Sequence, residues 1–171
     1  MRLIESKTLG TAQASIEFTS IPQTFTDLYI LASLRQTGSG FAQGVWLVNS
    51  ATTNFSYRLL EGTGASTSSG NNILNYIGLI NGSSSTSNTF ASNAIYIANY
   101  SGATAKSISC DAVTETNATT SFQHITATLW NNTAAITSIR FDAASGNLDA
   151  GSMISLYGVL KGSDGIVTTS P

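Results

Sequence analysis

Short runs of β-branched and aromatic residues recur along the chain, and Gly, Asn, Asp or Ser bounds each run. Runs of this length and composition predict β-strands. Several alternate apolar and polar positions, which is typical of strands with one buried face. The predicted strands lie at residues 16–19, 28–35, 45–48, 55–59, 73–80, 94–97, 105–113, 124–130, 136–141 and 153–160.

Helical periodicity is nearly missing, because no window of about a dozen residues repeats apolar positions at helical spacing. About ten short strands in one chain of this length predict an all-β fold, either an antiparallel two-sheet β-sandwich or a barrel. The connections between the runs differ widely in length. Uneven connections favour a jelly-roll or Greek-key sandwich over a barrel of tight hairpins.

The pattern divides the chain into three parts. We expect an N-terminal arm at residues 1–14, one jelly-roll β-sandwich domain at 15–161 and a polar C-terminal tail at 162–171. Two Ser-rich stretches within the domain, residues 62–70 and 81–88, hold few apolar side chains. They are predicted to be exposed and mobile loops.

Composition excludes several functions. Charged residues make up 9% of the 171 residues and the net charge is −2, so no basic stripe is available for nucleic acid or for an anionic membrane. One Cys and one His cannot form a Cys/His zinc site or an intrachain disulfide. The N-terminus lacks the apolar run of a signal peptide, and no apolar stretch is long enough to span a bilayer. We expect a soluble protein made in the cytoplasm.

Nucleophilic chemistry finds little support in the sequence. No Ser lies in a G-x-S-x-G motif, and any Ser triad would need the sole histidine, His124, which lies in a predicted strand. A structural His124 is therefore favoured over a catalytic base. Cys110 alternates in phase with Ile108 and Ala112, which favours a small buried side chain over a reactive thiol.

Two sets of acidic residues are candidates for a catalytic or a metal site. Asp111 and Glu115 could form a carboxylate pair of the kind that glycosidases use, but solvated surface acids fit them equally well. The segment 142–149 offers Asp142, Asn147 and Asp149 as oxygen ligands for calcium, although its spacing matches no EF-hand and these residues are also common in turns. No catalytic, cofactor or metal residue is assigned.

Aromatic side chains could form a platform for stacking sugars. Most of them lie in predicted strands between aliphatic residues, which favours burial in a sandwich core. The candidates are Trp46, Tyr57, Tyr96, Tyr100 and Trp130.

Several short motifs, taken in order, resemble a widespread group of bacteriophage virion proteins. The resemblance extends over about residues 14–161, so it covers nearly the whole chain. The motifs are Ile16-Glu17-Phe18 with Ile21-Pro22 and 25–30, then 54–58 with Gly62 and Gly64, 95–100, 129–139, 146–148 and 155–159.

The resemblance implies a jelly-roll β-sandwich that serves as a structural part of a virion assembled in the host bacterial cytoplasm. It implies a capsid decoration or cement protein, a homotrimer that contacts the major capsid protein, with no enzymatic activity and no cofactor. The alternative is a tail or fibre module that binds a receptor or carbohydrate. No catalytic motif comes with this resemblance. Neither nucleic acid nor a membrane is an expected partner.

Overall fold

A computed structural model describes residues 1–72, 75–116 and 121–160. The described chain is all-β, with every strand pairing antiparallel inside one of two sheets. The predicted all-β class and the two-sheet antiparallel sandwich are confirmed. The described residues contain no helix long and apolar enough to cross a membrane.

The described residues form twelve strands, and turns rich in Gly, Asn and Ser separate them. The strands are β1 (Arg2–Thr8), β2 (Ser15–Phe18), β3 (Asp27–Leu34), β4 (Ala42–Val48), β5 (Phe55–Gly62), β6 (Thr67–Asn72), β7 (Tyr76–Ile80), β8 (Ala91–Ile97), β9 (Lys106–Glu115), β10 (Ser121–Trp130), β11 (Ile139–Ala143) and β12 (Met153–Val159).

The two sheets differ in width. The larger has eight strands in the order β1-β12-β3-β8-β9-β10-β5-β6, and the smaller has four in the order β2-β11-β4-β7. The small sheet packs on one face of the large one, with β7 contacting β8, β9 and β10. One face of the wide sheet therefore lines the core and the other points outward.

Period-2 alternation builds the core, as β9 shows most clearly. Every second residue from Lys106 to Thr114 is buried and the residues between them are exposed. Aromatic rings fill the space between the sheets: Phe55 stacks on Trp130 with ring centroids 6.3 Å apart, and Trp46 stacks on Phe141 at 6.5 Å. Such rings bury large apolar areas and fix the distance between the sheets.

The structure corrects two expectations near the edges of the wide sheet. The N-terminal segment 1–14 was expected to be an arm, but it contains β1, which pairs with β12. The predicted loop 62–70 contains most of β6, which pairs with β5. Both strands lie at the edges of the wide sheet, where pairing with the backbone of a neighbouring strand holds segments that are rich in polar residues. The predicted tail, residues 162–171, lies outside the described residues.

The second predicted loop, 81–88, is exposed only in part. Asn81 is fully buried, because its amide donates to Thr89 Oγ1 at 2.8 Å and to the Glu115 carbonyl at 2.9 Å. Arg35 is also buried, and its guanidinium donates to the carbonyls of Thr86 and Thr89 at 3.0 and 2.9 Å. The expectation of an exposed loop was wrong for Asn81, since a composition without apolar residues does not reveal these hydrogen bonds.

Candidate functional site

The exposed large hydrophobic side chains concentrate on the outward face of the eight-stranded sheet, which we call the open face. Ten such side chains are exposed in the described part of the chain, and two of them, Met1 and Leu160, lie at its ends. The other eight all occupy outward positions of the wide sheet. They are Leu3, Leu31, Leu60, Tyr96, Val113, Ile125, Leu129 and Met153.

Strand register lines up one residue from each strand into a single row across the open face. On one half of the sheet the row is bulky, with three tyrosines side by side. On the other half it begins with two small residues. The row runs Leu3, Tyr157, Tyr29, Tyr96, Ser109, Ala127, Arg58, Asn71.

The two small residues form the floor of a depression of about 650 Å³. Tyr96 and Arg58 stand on its two sides, and Leu129 also lines it. Tyr96 is held in place because its hydroxyl donates to Asp27 Oδ2 at 2.8 Å. This hydrogen bond raises the pKa of Tyr96 above its usual range.

Charged groups on the open face are few, and they have partners within the chain. Asp27 Oδ1 also accepts the Asn99 backbone N–H at 2.8 Å, and Asp111 accepts a hydrogen bond from the Gln123 amide. Arg58 donates to the Tyr57 carbonyl at 3.0 Å. The open face is therefore apolar and hydroxyl-lined, with little free charge.

The outward face of the four-stranded sheet is different. Arg140 lies at its centre, paired in register with Glu17, and its guanidinium binds Asp142 at 2.8 to 3.1 Å. Charged side chains of this kind are well solvated without a partner molecule. Among the residues that the structure describes, none covers the exposed apolar side chains of the open face.

A buried polar cluster lies on the opposite face of the wide sheet, around His124. His124 Nε2 contacts Glu61 Oε2 at 2.7 Å, and the Leu79 backbone N–H donates to Nδ1 at 3.3 Å. Because a backbone N–H can only donate, Nδ1 carries no proton and Nε2 is the donor to Glu61. Tyr76 Oη lies 3.2 Å from Nδ1, and burial together with the Glu61 charge raises the pKa of Tyr76.

The His124 cluster connects the two sheets, because His124 lies on β10 and Leu79 on β7. His124 is fully buried, and Phe122 stacks on its ring with centroids 5.9 Å apart. His124 does not line the depressions that Ser109, Ala127, Leu60 and Ile125 line on the open face. The geometry supports the structural histidine that the sequence favours.

Cys110 is buried, as the alternation of β9 predicts. Its thiol donates to the Ile77 carbonyl at 2.9 Å, and burial raises its pKa to about 12. A thiol that stays protonated at neutral pH is a poor nucleophile. The side chain therefore acts as a core residue.

The remaining sequence candidates are dispersed. Asp111 and Glu115 both point outward from β9, with the exposed Val113 between them. In the segment weighed for calcium, Asp142 binds Arg140 and Asp149 lies 3.7 Å from Arg35. Within the described residues no three His, Cys, Asp or Glu side chains come together to hold a metal ion.

Four of the five aromatic candidates are core residues. Tyr57 is 8% exposed and the others are nearly or fully buried, whereas Tyr96 is 39% exposed. The four are Trp46, Tyr57, Tyr100 and Trp130. Register aligns Tyr96 with Tyr29 and Tyr157 on the open face, and we call these three residues the tyrosine row. The sequence did not predict this alignment, because the three residues are far apart in the chain.

Comparisons with protein-family models, with curated proteins and with solved structures find no match to this chain.

Proposed function

We propose that this chain is a non-enzymatic structural protein of a bacteriophage virion, a capsid decoration or cement protein that stabilises the head. The observation that carries the proposal is the open face, which fits a subunit that is held in an assembly by contacts between proteins. Contiguous exposed apolar side chains on a folded protein mark sites of contact with other proteins. A face that spans all eight strands is far wider than the pocket of a small substrate.

The chemistry of the open face suits permanent packing. Its apolar residues alternate with Ser and Ala, which allow close approach of another surface. Contacts of this kind depend little on ionic strength, since few charges are screened by salt. Stable contact under varying salt is what a protein added to a particle requires.

The strand order supports a jelly-roll topology, which we propose for the fold. One half of the wide sheet, β1-β12-β3-β8, and the small sheet, β2-β11-β4-β7, together have the eight strands of two facing four-stranded layers. Double-sheet jelly rolls of eight strands occur in viral capsid and lectin domains. In this interpretation β9, β10, β5 and β6 are additions that widen one sheet.

The test uses phage heads that lack the protein. Purified chain added at micromolar concentration is expected to co-sediment with the heads and to raise the temperature at which they rupture. A chain that stays in the supernatant, while the head protein is intact, would overturn the proposal. Detection of the chain in tail fractions alone would also overturn it.

The tyrosine row favours one alternative, a tail or fibre module that binds carbohydrate. Exposed tyrosines beside hydroxyls and an arginine can stack on sugar rings and hydrogen-bond to them. The alternative predicts saturable binding on a glycan array that Tyr96→Ala abolishes and Arg140→Ala leaves intact. An array without signal for the unmodified protein would exclude it.

A further inference from the structure

We propose that a second copy of this chain covers the open face. The two open faces pack against each other about a two-fold axis that runs parallel to the strands, between β8 and β9. The inference rests on the proposed function only for the idea that the face packs against protein, and it commits to one occupant.

The area of the open face matches what a stable pair needs. Seven gaps of about 4.8 Å between eight strands give a width of about 34 Å. Four outward rows, about 6.7 Å apart, give a height of about 20 to 27 Å. The resulting area of roughly 700 to 900 Å² per copy is close to the ~800 Å² per partner of a standard stable interface.

Residue size along the whole row from Leu3 to Asn71, which contains the three tyrosines and the two small residues, explains why the partner is an identical chain. An axis between β8 and β9 places β8 over β9, β3 over β10, and β12 over β5 of the second copy. Tyr96 then lies over Ser109, and Tyr29 over Ala127, so the bulky half fills the depression of the other half. The same operation gives two identical contacts, which is the property of an isologous interface.

The adjacent row of outward residues gives an independent check of the same axis. It contains Leu31 on β3 and Ile125 on β10, which the axis places against each other. It also places Ser155 of β12 over Leu60 of β5, a small residue over a large one. In this row the axis gives one contact of a small residue with a large one, Ser155 with Leu60, and one contact between two large apolar residues, Leu31 and Ile125.

Charge is compatible with the arrangement. The axis places the Arg58 guanidinium over the ring of Tyr157, which is a favourable cation–π geometry. Asp111 faces Ala94 rather than another carboxylate. No pair of like charges on these two rows is brought together.

A two-fold axis perpendicular to the strands fits less well. It would superpose each strand on its own copy, so Tyr29 would meet Leu31 and Leu60 would meet Arg58. Bulky halves would then meet each other, while the depression would face the other copy's depression. Residue size therefore selects the axis parallel to the strands.

The first experiment measures mass in solution. Sedimentation equilibrium at micromolar concentration is expected to give twice the 17.8 kDa chain mass. Ser109→Arg fills the depression and is expected to weaken dimerisation at least tenfold. Gln43→Arg is the matched control, because it adds the same charge at an exposed position of the four-stranded sheet and should leave the dimer intact.

The second experiment tests the axis. Tyr29 and Ala127 lie three strands apart within a chain, about 14 Å, but oppose each other across the proposed interface. The double variant Tyr29→Cys with Ala127→Cys should be joined into covalent dimers by a bifunctional thiol reagent shorter than 14 Å. Met153→Cys with Ala127→Cys is the control pair, which the axis keeps apart.

Several outcomes would overturn the proposal. A monomer at 100-fold higher concentration would do so, with or without glycan binding. A trimer, as the resemblance implies, would do so, as would a dimer that Ser109→Arg leaves intact. Failure to bind phage heads leaves this inference standing, because the dimer is measured without a particle.

Discussion

At one strand of the eight-stranded sheet, β10, the usual rule that apolar side chains are buried and polar side chains are exposed is reversed on both faces. Its inward residues His124, Thr126 and Thr128 are buried although they are polar. Its outward residues Ile125 and Leu129 are exposed although they are apolar. The alternation of polar and apolar residues in β10, taken alone, would predict the opposite orientation, with Ile125 and Leu129 buried and the polar residues exposed.

Two constraints keep β10 in its observed orientation. Trp130 has the same phase as His124 and is buried against Phe55, so it directs that phase inward. Register with β9 places Thr126 beside Cys110 on the inward face. The inward His124 is then stabilised by its contacts with Glu61 and the Leu79 N–H, and the outward apolar residues remain available for a partner.

The largest expected effect on the free energy of unfolding comes from a substitution on the inward face of the sheet. Trp130→Ala removes a buried ring and should lower the free energy of unfolding by about 3 to 5 kcal/mol. Ile125→Ala, on the open face of the same strand, should cost well under half of that in the monomer, because the Ile125 side chain is 56% exposed. Urea denaturation of both variants measures the difference. Similar costs would contradict the assignment of the two faces.

The next effect concerns the His124 cluster. His124→Ala leaves the Glu61 carboxylate and the Leu79 N–H without their partner, which should cost about 2 to 3 kcal/mol. Gln123→Ala on the open face serves as the control and should cost well under half of that. Nitrogen NMR of the unmodified protein should show His124 protonated at Nε2 alone. A protonated Nδ1 would refute the proposed hydrogen bonds.

The pH dependence of the unfolding free energy tests whether the Cys110 thiol is shielded from solvent. Because the pKa of Cys110 is raised to about 12 in the folded chain, the unfolded chain loses this proton first. The stability that this thiol contributes is complete below pH 9 and is lost as the pH rises toward 12, at up to about 1.4 kcal/mol per unit.

The matched variant for this series is Cys110→Ala, which should show a shallower decline of the unfolding free energy between pH 9 and pH 11. Tyrosine ionisation contributes to both proteins and cancels in the comparison. Parallel curves for the two proteins would show that burial does not hold the thiol neutral.

The smallest effect concerns the outward face of the small sheet. Arg140→Ala removes an exposed ion pair with Asp142 and should change the unfolding free energy by less than about 1 kcal/mol. It should also leave the mass in solution unchanged. An effect on association as large as that of Ser109→Arg would show that the two outward faces are equally important.

The sequence predicted most strands because each contains β-branched or aromatic residues. It missed β6, whose residues Thr67–Asn72 include no large apolar side chain. This strand forms because β5 offers unpaired backbone groups at the sheet edge, and a local pattern does not contain that information. The buried Arg35, bound to three backbone carbonyls, was missed for the same reason.

Local patterns by themselves determined the all-β class, the approximate strand positions and the inward direction of Cys110, because period-2 alternation acts within a single strand. They also determined the low charge of the surface. Only the tertiary structure decided the face of β10, the alignment of Tyr157, Tyr29 and Tyr96, and the existence of the open face. These features depend on strand order and register, which arise from hydrogen bonds between segments far apart in the chain.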